Sequence, residues 1–175
     1  MPRQAAILVP ELVRTAGNMF IQKPVAPDST NTFKAGALLT LTAGVLVLIA
    51  SDGVLCYGQV PDISHAATEM PPQAMFGETH YVFSPLEGEF EINVGVVTAG
   101  ALVIGVGAQT PANVTIGTVY GIATPTSGIY AGVQVLDPTE ITATLFQVVS
   151  KVDNVLNDDY NGRVRVKIIP SKIQN

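Results

Sequence analysis

Few side chains in this sequence are equipped for chemistry, and their spacing limits what each can do. Cys56, His65 and His80 are the one thiol and the two imidazoles of the chain. A thiol beside an imidazole is the pairing a cysteine hydrolase uses, so Cys56 with His80 defines the enzyme reading. No motif that positions such a nucleophile surrounds them, and Val54-Leu55-Cys56-Tyr57 reads as a buried apolar stretch. A lone cysteine also builds no disulfide framework or zinc site within one chain. Glu87, Glu89 and Glu91 alternate, so on a strand they share one face, where like charges repel unless solvated or paired. Their oxygens suit Ca²⁺ or Mg²⁺, but the expectation is a negative strand edge that discourages wrong pairing.

Arg163, Arg165 and Lys167 alternate in the same way after Asp158 and Asp159, and they read as a solvated or interface face rather than a polyanion site. With a formal net charge of −5 and no other basic cluster, nucleic acid is not an expected partner. Gly100, Gly105 and Gly107 lack the spacing, the following helix and the lysine of a phosphate-binding loop. The run Gly105-Val106-Gly107-Ala108 instead reads as bends or bulges in strands. Tyr81, Tyr120 and Tyr130 are the residues that a ligand- or carbohydrate-binding β-sandwich would expose, in a chain with no Trp and 6% aromatics. No catalytic residue, cofactor or metal site is expected, and the expected role is non-enzymatic.

The elements that carry these residues are strands. Charged residues make up 13% of the 175 residues and hydrophobic ones 47%, about half the usual charge, roughly a quarter of residues. From Ile92 to Leu136 the sequence runs forty-five residues without Asp, Glu, Lys, Arg or His. A membrane helix needs about twenty predominantly apolar residues in a row, and Gln109, Thr110, Pro111, Asn113 and Thr124 to Ser127 interrupt sooner than that. The seventeen uncharged residues from Ala35 to Ser51 are likewise read as two meander strands. A solvated surface normally carries charges of both signs, so the long run is expected to form both core and a subunit contact, with Thr118 as an outward position.

Strands are predicted over Ala37–Leu41, Val45–Ala50, Val54–Val60, Thr79–Phe83, Glu89–Val97, Ala101–Val106, Val114–Ala123, Gly128–Leu136, Ile141–Val152 and Arg163–Ile169. Ala43-Gly44 and Ser51-Asp52-Gly53 are turn signals. Ser64 to Met70 allows a short capped helix within a proline-rich loop. Asn161-Gly162 is a hairpin signal in which Gly162 is expected to supply the positive φ. Thr42 to Ile49 echoes Thr98 to Gly105, either as two similar hairpins or through shared β-rich composition. About ten short strands point to an all-β sandwich or barrel, assigned to residues 31–175.

Residues 1–30 differ. Pro2, Pro10, Pro24 and Pro27 forbid long regular structure, yet Ile7, Leu8, Val9, Leu12, Val13, Met19, Phe20, Ile21 and Val25 make the stretch too apolar for a disordered tail. Two courses stand open: an extended arm that binds a neighbouring subunit through those residues, or a first strand of the same domain. The N-terminus lacks the length and cleavage pattern of a secretory signal, so synthesis in a cytoplasm is expected.

The segment Phe33-Lys34-Ala35-Gly36-Ala37-Leu38-Leu39-Thr40-Leu41, with Val45 to Ala50 and Ser51-Asp52-Gly53-Val54, resembles the opening of tailed-bacteriophage capsid decoration, or cement, proteins. The likeness covers residues 30–60 best and the rest in texture only. It implies a compact β-barrel or β-sandwich, β-tulip-like, with an extended N-terminal arm. It further implies a structural virion protein on the capsid exterior, a homotrimer clamping neighbouring major capsid subunits. The alternatives are the cellular ligand- or carbohydrate-binding β-sandwich and, more remotely, the Cys/His hydrolase.

Overall fold

The computed structural model describes residues 2–8, 10–14, 20–24, 36–43, 45–49, 55–59, 79–83, 88–152 and 158–174 of the chain. It is an all-β protein: the described residues contain no α-helix, and the regular structure apart from strands is two 3₁₀ turns, Pro111–Asn113 and Pro170–Lys172. The strands are β1 (Glu11–Arg14), β2 (Phe20–Pro24), β3 (Leu38–Thr42), β4 (Val45–Leu48), β5 (Gly58–Gln59), β6 (Thr79–Phe83), β7 (Glu89–Asn93), β8 (Val97–Thr98), β9 (Ala101–Leu102), β10 (Val119–Ala123), β11 (Val135–Asp137), β12 (Phe146–Lys151) and β13 (Arg163–Ile168).

Six strands form one sheet in the order β1-β7-β13-β12-β10-β11, and its neighbouring strands are antiparallel. This sheet curls until its last strand, β11, reaches back to β7. Val94, just past β7, bridges Leu136 of β11 in parallel, and the Gly95 N–H donates to the Leu136 carbonyl. A Cβ at Gly95 would sit 2.8 Å from the Leu102 side chain, so any larger residue there would have to displace Leu102. Five more strands, in the order β2-β6-β5-β3-β4, curl into a half-barrel. Successive residues of a strand face opposite sides, and one side of the larger sheet is apolar throughout: Phe90 and Ile92, Val164, Val166 and Ile168, Phe146 and Val148, Tyr120 and Ile122. Leu38, Ile49 and Cys56 from the smaller sheet and its connections enter the same cluster. The two sheets therefore share one core.

Gln134 ties them together. Its fully buried Oε1 accepts the Leu38 N–H at 2.7 Å, while its Nε2 donates to the Leu38 and Ile49 carbonyls at 2.9 and 2.8 Å. The Thr124 hydroxyl donates to the same Ile49 carbonyl. Gln174 repeats the device on the next residues of β3, accepting from Leu41 N–H and donating to Leu41 O. Next to it, the tail runs parallel to the chain at Cys56 through the Cys56↔Ile173 bridge.

The echo between the two Thr-Ala-Gly segments proves to be two hairpins with two-residue turns, Thr42 opposite Val45 and Thr98 opposite Ala101. The first turn residue is left-handed in both, Ala43 at φ 49° and Ala99 at φ 50°. Such turns favour Asn, Asp or Gly there. Elsewhere the predicted strands shorten. Val114–Ala123 starts at Val119, Gly128–Leu136 shrinks to Val135–Asp137, and Ala101–Val106 stops at Leu102. Ile141–Val152 begins only at Phe146, because Glu140 accepts the Thr142 and Ala143 N–H groups and fixes a turn. At the Asn-Gly signal, β12 and β13 pair as expected, but Asn161 carries the positive φ, 51°, in place of Gly162. The Ser51-Asp52-Gly53 turn and the Ser64–Met70 helix lie outside the described residues.

Two stability outcomes follow. Gln134→Leu orphans the buried Leu38 N–H and should cost about 2–3 kcal/mol. Gln134→Glu should cost more at neutral pH and recover on acidification; denaturant midpoints measure both. Ala99→Asn relieves the left-handed strain and should stabilise the chain by about 1 kcal/mol, read as a raised unfolding temperature.

Candidate interaction surface

Residues 2–8, 10–14 and 20–24 pair with strands of their own chain. Gln4 bridges Tyr160 in parallel, the Ala5 N–H donates to Tyr160 O and the Tyr160 N–H to Arg3 O. β1 lies antiparallel on β7, with Leu12 opposite Phe90 and Val13 at a bulge; β2 lies on β6, with Phe20 opposite Phe83 and Ile21 opposite Val82. Ile7 is half-buried and Leu8 exposed. Val9, Met19 and Val25 lie outside the described residues.

The outer face of the larger sheet carries its charges. β7 is interior, flanked by β1 and β13, so Glu89 and Glu91 do not form the negative edge that their alternation suggests. Their charges are answered across the ladder instead. Glu91 lies between two guanidiniums, Oε2 at 3.2 Å from Arg163 Nη1 and Oε1 at 3.0 Å from Arg165 Nη2. Lys167 stands opposite Glu89 in register. Arg163 is buried, and its Nη2 also donates to the Glu91 carbonyl at 2.7 Å. Both carboxylates face cations across the ladder, and the described residues hold no cluster of three or more potential metal ligands. Glu87 lies outside the described residues.

The thiol is equally settled. Cys56 is wholly buried, and burial pushes it from 9.0 up to about 12, the Gly58 carbonyl at 3.9 Å being a smaller, opposing influence. It stays protonated at neutral pH, whereas a nucleophile needs the thiolate. His80 lies on β6, and His65 lies outside the described residues. Of the three tyrosines, Tyr81 is on β6, Tyr130 is half-buried, and Tyr120 is buried with its hydroxyl accepting the Thr115 N–H at 3.0 Å. Tyr120 is thus a core residue rather than part of an exposed platform.

Among the described residues, the charge-free run presents apolar side chains to the surface. Four large hydrophobic residues of the charge-free run are exposed: Ile104, Val106 at 91%, Ile116, and Ile129 at 81%. They sit in loops although strands are predicted over all four. Gly105 and Gly107, at φ 67° and 95°, flank Val106 with nothing within 4 Å of where a Cβ would lie. These glycines turn the chain rather than admit a close neighbour, and so Val106 is thrown outward. The Gly105 N–H is held by Gln4 Oε1 at 2.7 Å, which pins the loop to the N-terminal segment. A second loop carries Ile129 and is braced on the β8–β9 turn, where Gly100 O accepts the Thr126 and Ser127 N–H groups. The sequence signal for these residues is an apolar side chain next to a glycine, on both sides only at Val106; alternation alone misses it.

No protein-family model, curated protein or solved structure matches the chain.

The thiol gives a pH test. A folded-state value raised above the unfolded one leaves stability intact below 9.0, and stability falls as pH climbs toward 12. Cys56→Ala should flatten that alkaline decline, followed by chemical unfolding across the range. A water-soluble thiol reagent should label Cys56 only after denaturation; rapid native labelling is the contrary result.

Proposed function

We propose that this chain is a non-enzymatic structural protein that binds the outside of a phage head and stabilises contacts between neighbouring major capsid subunits, working as a homotrimer. The observation that carries this reading is the set of large apolar side chains exposed within a segment that has no charge. Isolated exposed hydrophobics are ordinary. A forty-five-residue stretch that supplies both core strands and outward Ile104, Val106, Ile116 and Ile129 is suited to meeting protein. Burial of such side chains contributes about 25 cal/mol per Å², less the cost of association. The phage assignment itself rests on the resemblance over residues 30–60.

Because residues 3–8 and 11–14 are hydrogen-bonded to the rest of the chain, deleting them would confound binding with folding, and loop substitutions make the cleaner test. Val106→Asp and Ile129→Asp remove apolar contact without touching the core, so each should change stability by no more than about 0.5 kcal/mol. Thr118→Asp, at an exposed position, belongs to the same set. All three should abolish or weaken self-association in sedimentation velocity and co-sedimentation with phage heads. A wild-type chain that stays monomeric and leaves heads in the pellet uncoated would sink the proposal.

A further inference from the structure

Asn161-Gly162 is the sequence pair in which a side-chain amide is most readily attacked by the following backbone nitrogen, because glycine offers no side chain to obstruct the approach. Here every polar atom of Asn161 is committed. Its N–H donates to Gln109 O at 2.7 Å, its carbonyl accepts from Asn93 Nδ2 at 2.6 Å, and its Nδ2 donates to Val94 O at 3.0 Å. Its Oδ1 accepts from Gln4 Nε2 at 3.1 Å. The would-be nucleophile is occupied as well, since the Gly162 N–H donates to Asp159 O at 3.1 Å. Asn161 is fully buried and left-handed.

Most of these locks come from residues 93–159, but one set comes from residues 3–8. Gln4 holds the Asn161 carboxamide, Arg3 and Ala5 hold both main-chain groups of Tyr160, and Asn93 joins the two by accepting from Leu8 N–H and donating to Ala6 O. Arg3, Gln4, Ala6 and Leu8 are exposed, so this segment is held by hydrogen bonds more than by buried side chains. Segments of that kind open at lower free energy than the core.

We propose that Asn161 is a latent self-modification site, guarded by the docked residues 3–8 and converted to aspartate or its β-linked isomer once that segment lifts away. In the step, the Gly162 nitrogen attacks Asn161 Cγ, ammonia leaves with the proton from that nitrogen, and a five-membered imide forms. Water then opens the ring at either carbonyl. No oxidant or reductant is involved; water is the co-reactant. The product carries a carboxylate where Nδ2 now donates to Val94 O, so two acceptors face each other in a buried place, which is costly. Re-docking is thereby disfavoured, and a reversible opening becomes a permanent one.

The test uses the full chain in mildly alkaline buffer, with conversion at residue 161 followed by peptide mass spectrometry. Native wild type should convert far more slowly than the same chain in urea. Gln4→Ala should raise the native rate roughly tenfold, by the loss of about one or two hydrogen bonds, and Ala5→Pro, which removes the donor to Tyr160 O, should act similarly. Melting curves verify that each variant is folded; if either is not, the other carries the comparison. Asn161→Asp should make Arg3, within the lifted segment, more susceptible to trypsin while residues 88–152 remain protected. Native wild type converting as fast as in urea, folded Gln4→Ala and Ala5→Pro converting no faster than wild type, or Asn161→Asp as resistant as wild type at Arg3 would each overturn the proposal.

Discussion

The amide of Gln134 stands where a strand would otherwise have to lie between the two sheets. An amide side chain carries the same donor and acceptor as a peptide unit, and here it offers them to Leu38 and Ile49 as an adjoining strand would. Without it, the Leu38 N–H has no such acceptor inside the shared core, and a buried unpaired donor is expensive. Gln174 on Leu41, and Asn93 on Ala6 and Leu8, repeat the solution at other gaps. Neutral amides close these backbone edges without the larger desolvation penalty that charged groups would bring. A chain with 13% charged residues can therefore still satisfy its buried backbone.

Charge is confined mainly to one other task. Glu91 sits between Arg163 and Arg165 on the outer face of the larger sheet, and its side chain is only 15% exposed. Partly buried pairs of this kind rarely add much net stability, but they quench like-charge repulsion along a strand. The first acids after the long uncharged run are likewise spent on turns: Asp137 accepts from the Thr139 N–H and hydroxyl, and Glu140 from Thr142 and Ala143. The hydroxyl of Thr142 and these amides hold the exposed Glu140 carboxyl below the ordinary range. Little charge is left for the loops that bear Val106 and Ile129.

The strand positions β6, β7 and β13 were legible because alternation of apolar and polar residues maps directly onto the two faces of a sheet. The two Ala-Gly hairpins were legible because the turn dipeptide repeats. Loops 103–109 and 128–132 misled because Ile, Val and Tyr have strand-like propensity, while the conformation there is set by glycines with positive φ. The acidic alternation at Glu89 and Glu91 suggested an edge, since nothing local reveals that β1 arrives from the N-terminus to cover it. The amide bridges were illegible for the same reason at greater range. Gln134 finds Leu38 across 96 residues, and Gln4 finds Asn161 across 157, separations at which no local pattern records a partner.

Those separations also constrain when the protein can acquire its shape. A strand emerging from the ribosome gains little until its partner exists, and here Gln4 waits for Asn161, Cys56 for Ile173 and Leu41 for Gln174. Contacts so distant in sequence slow folding, because a long loop must be closed before any of them repays the entropy lost. The early half-barrel strands are synthesised well before the segments that complete them. During that interval Val45 to Leu48, an uncharged strand at the end of its sheet, is an adhesive edge in a crowded cell. An edge of that kind is open to wrong pairing until the later strands arrive.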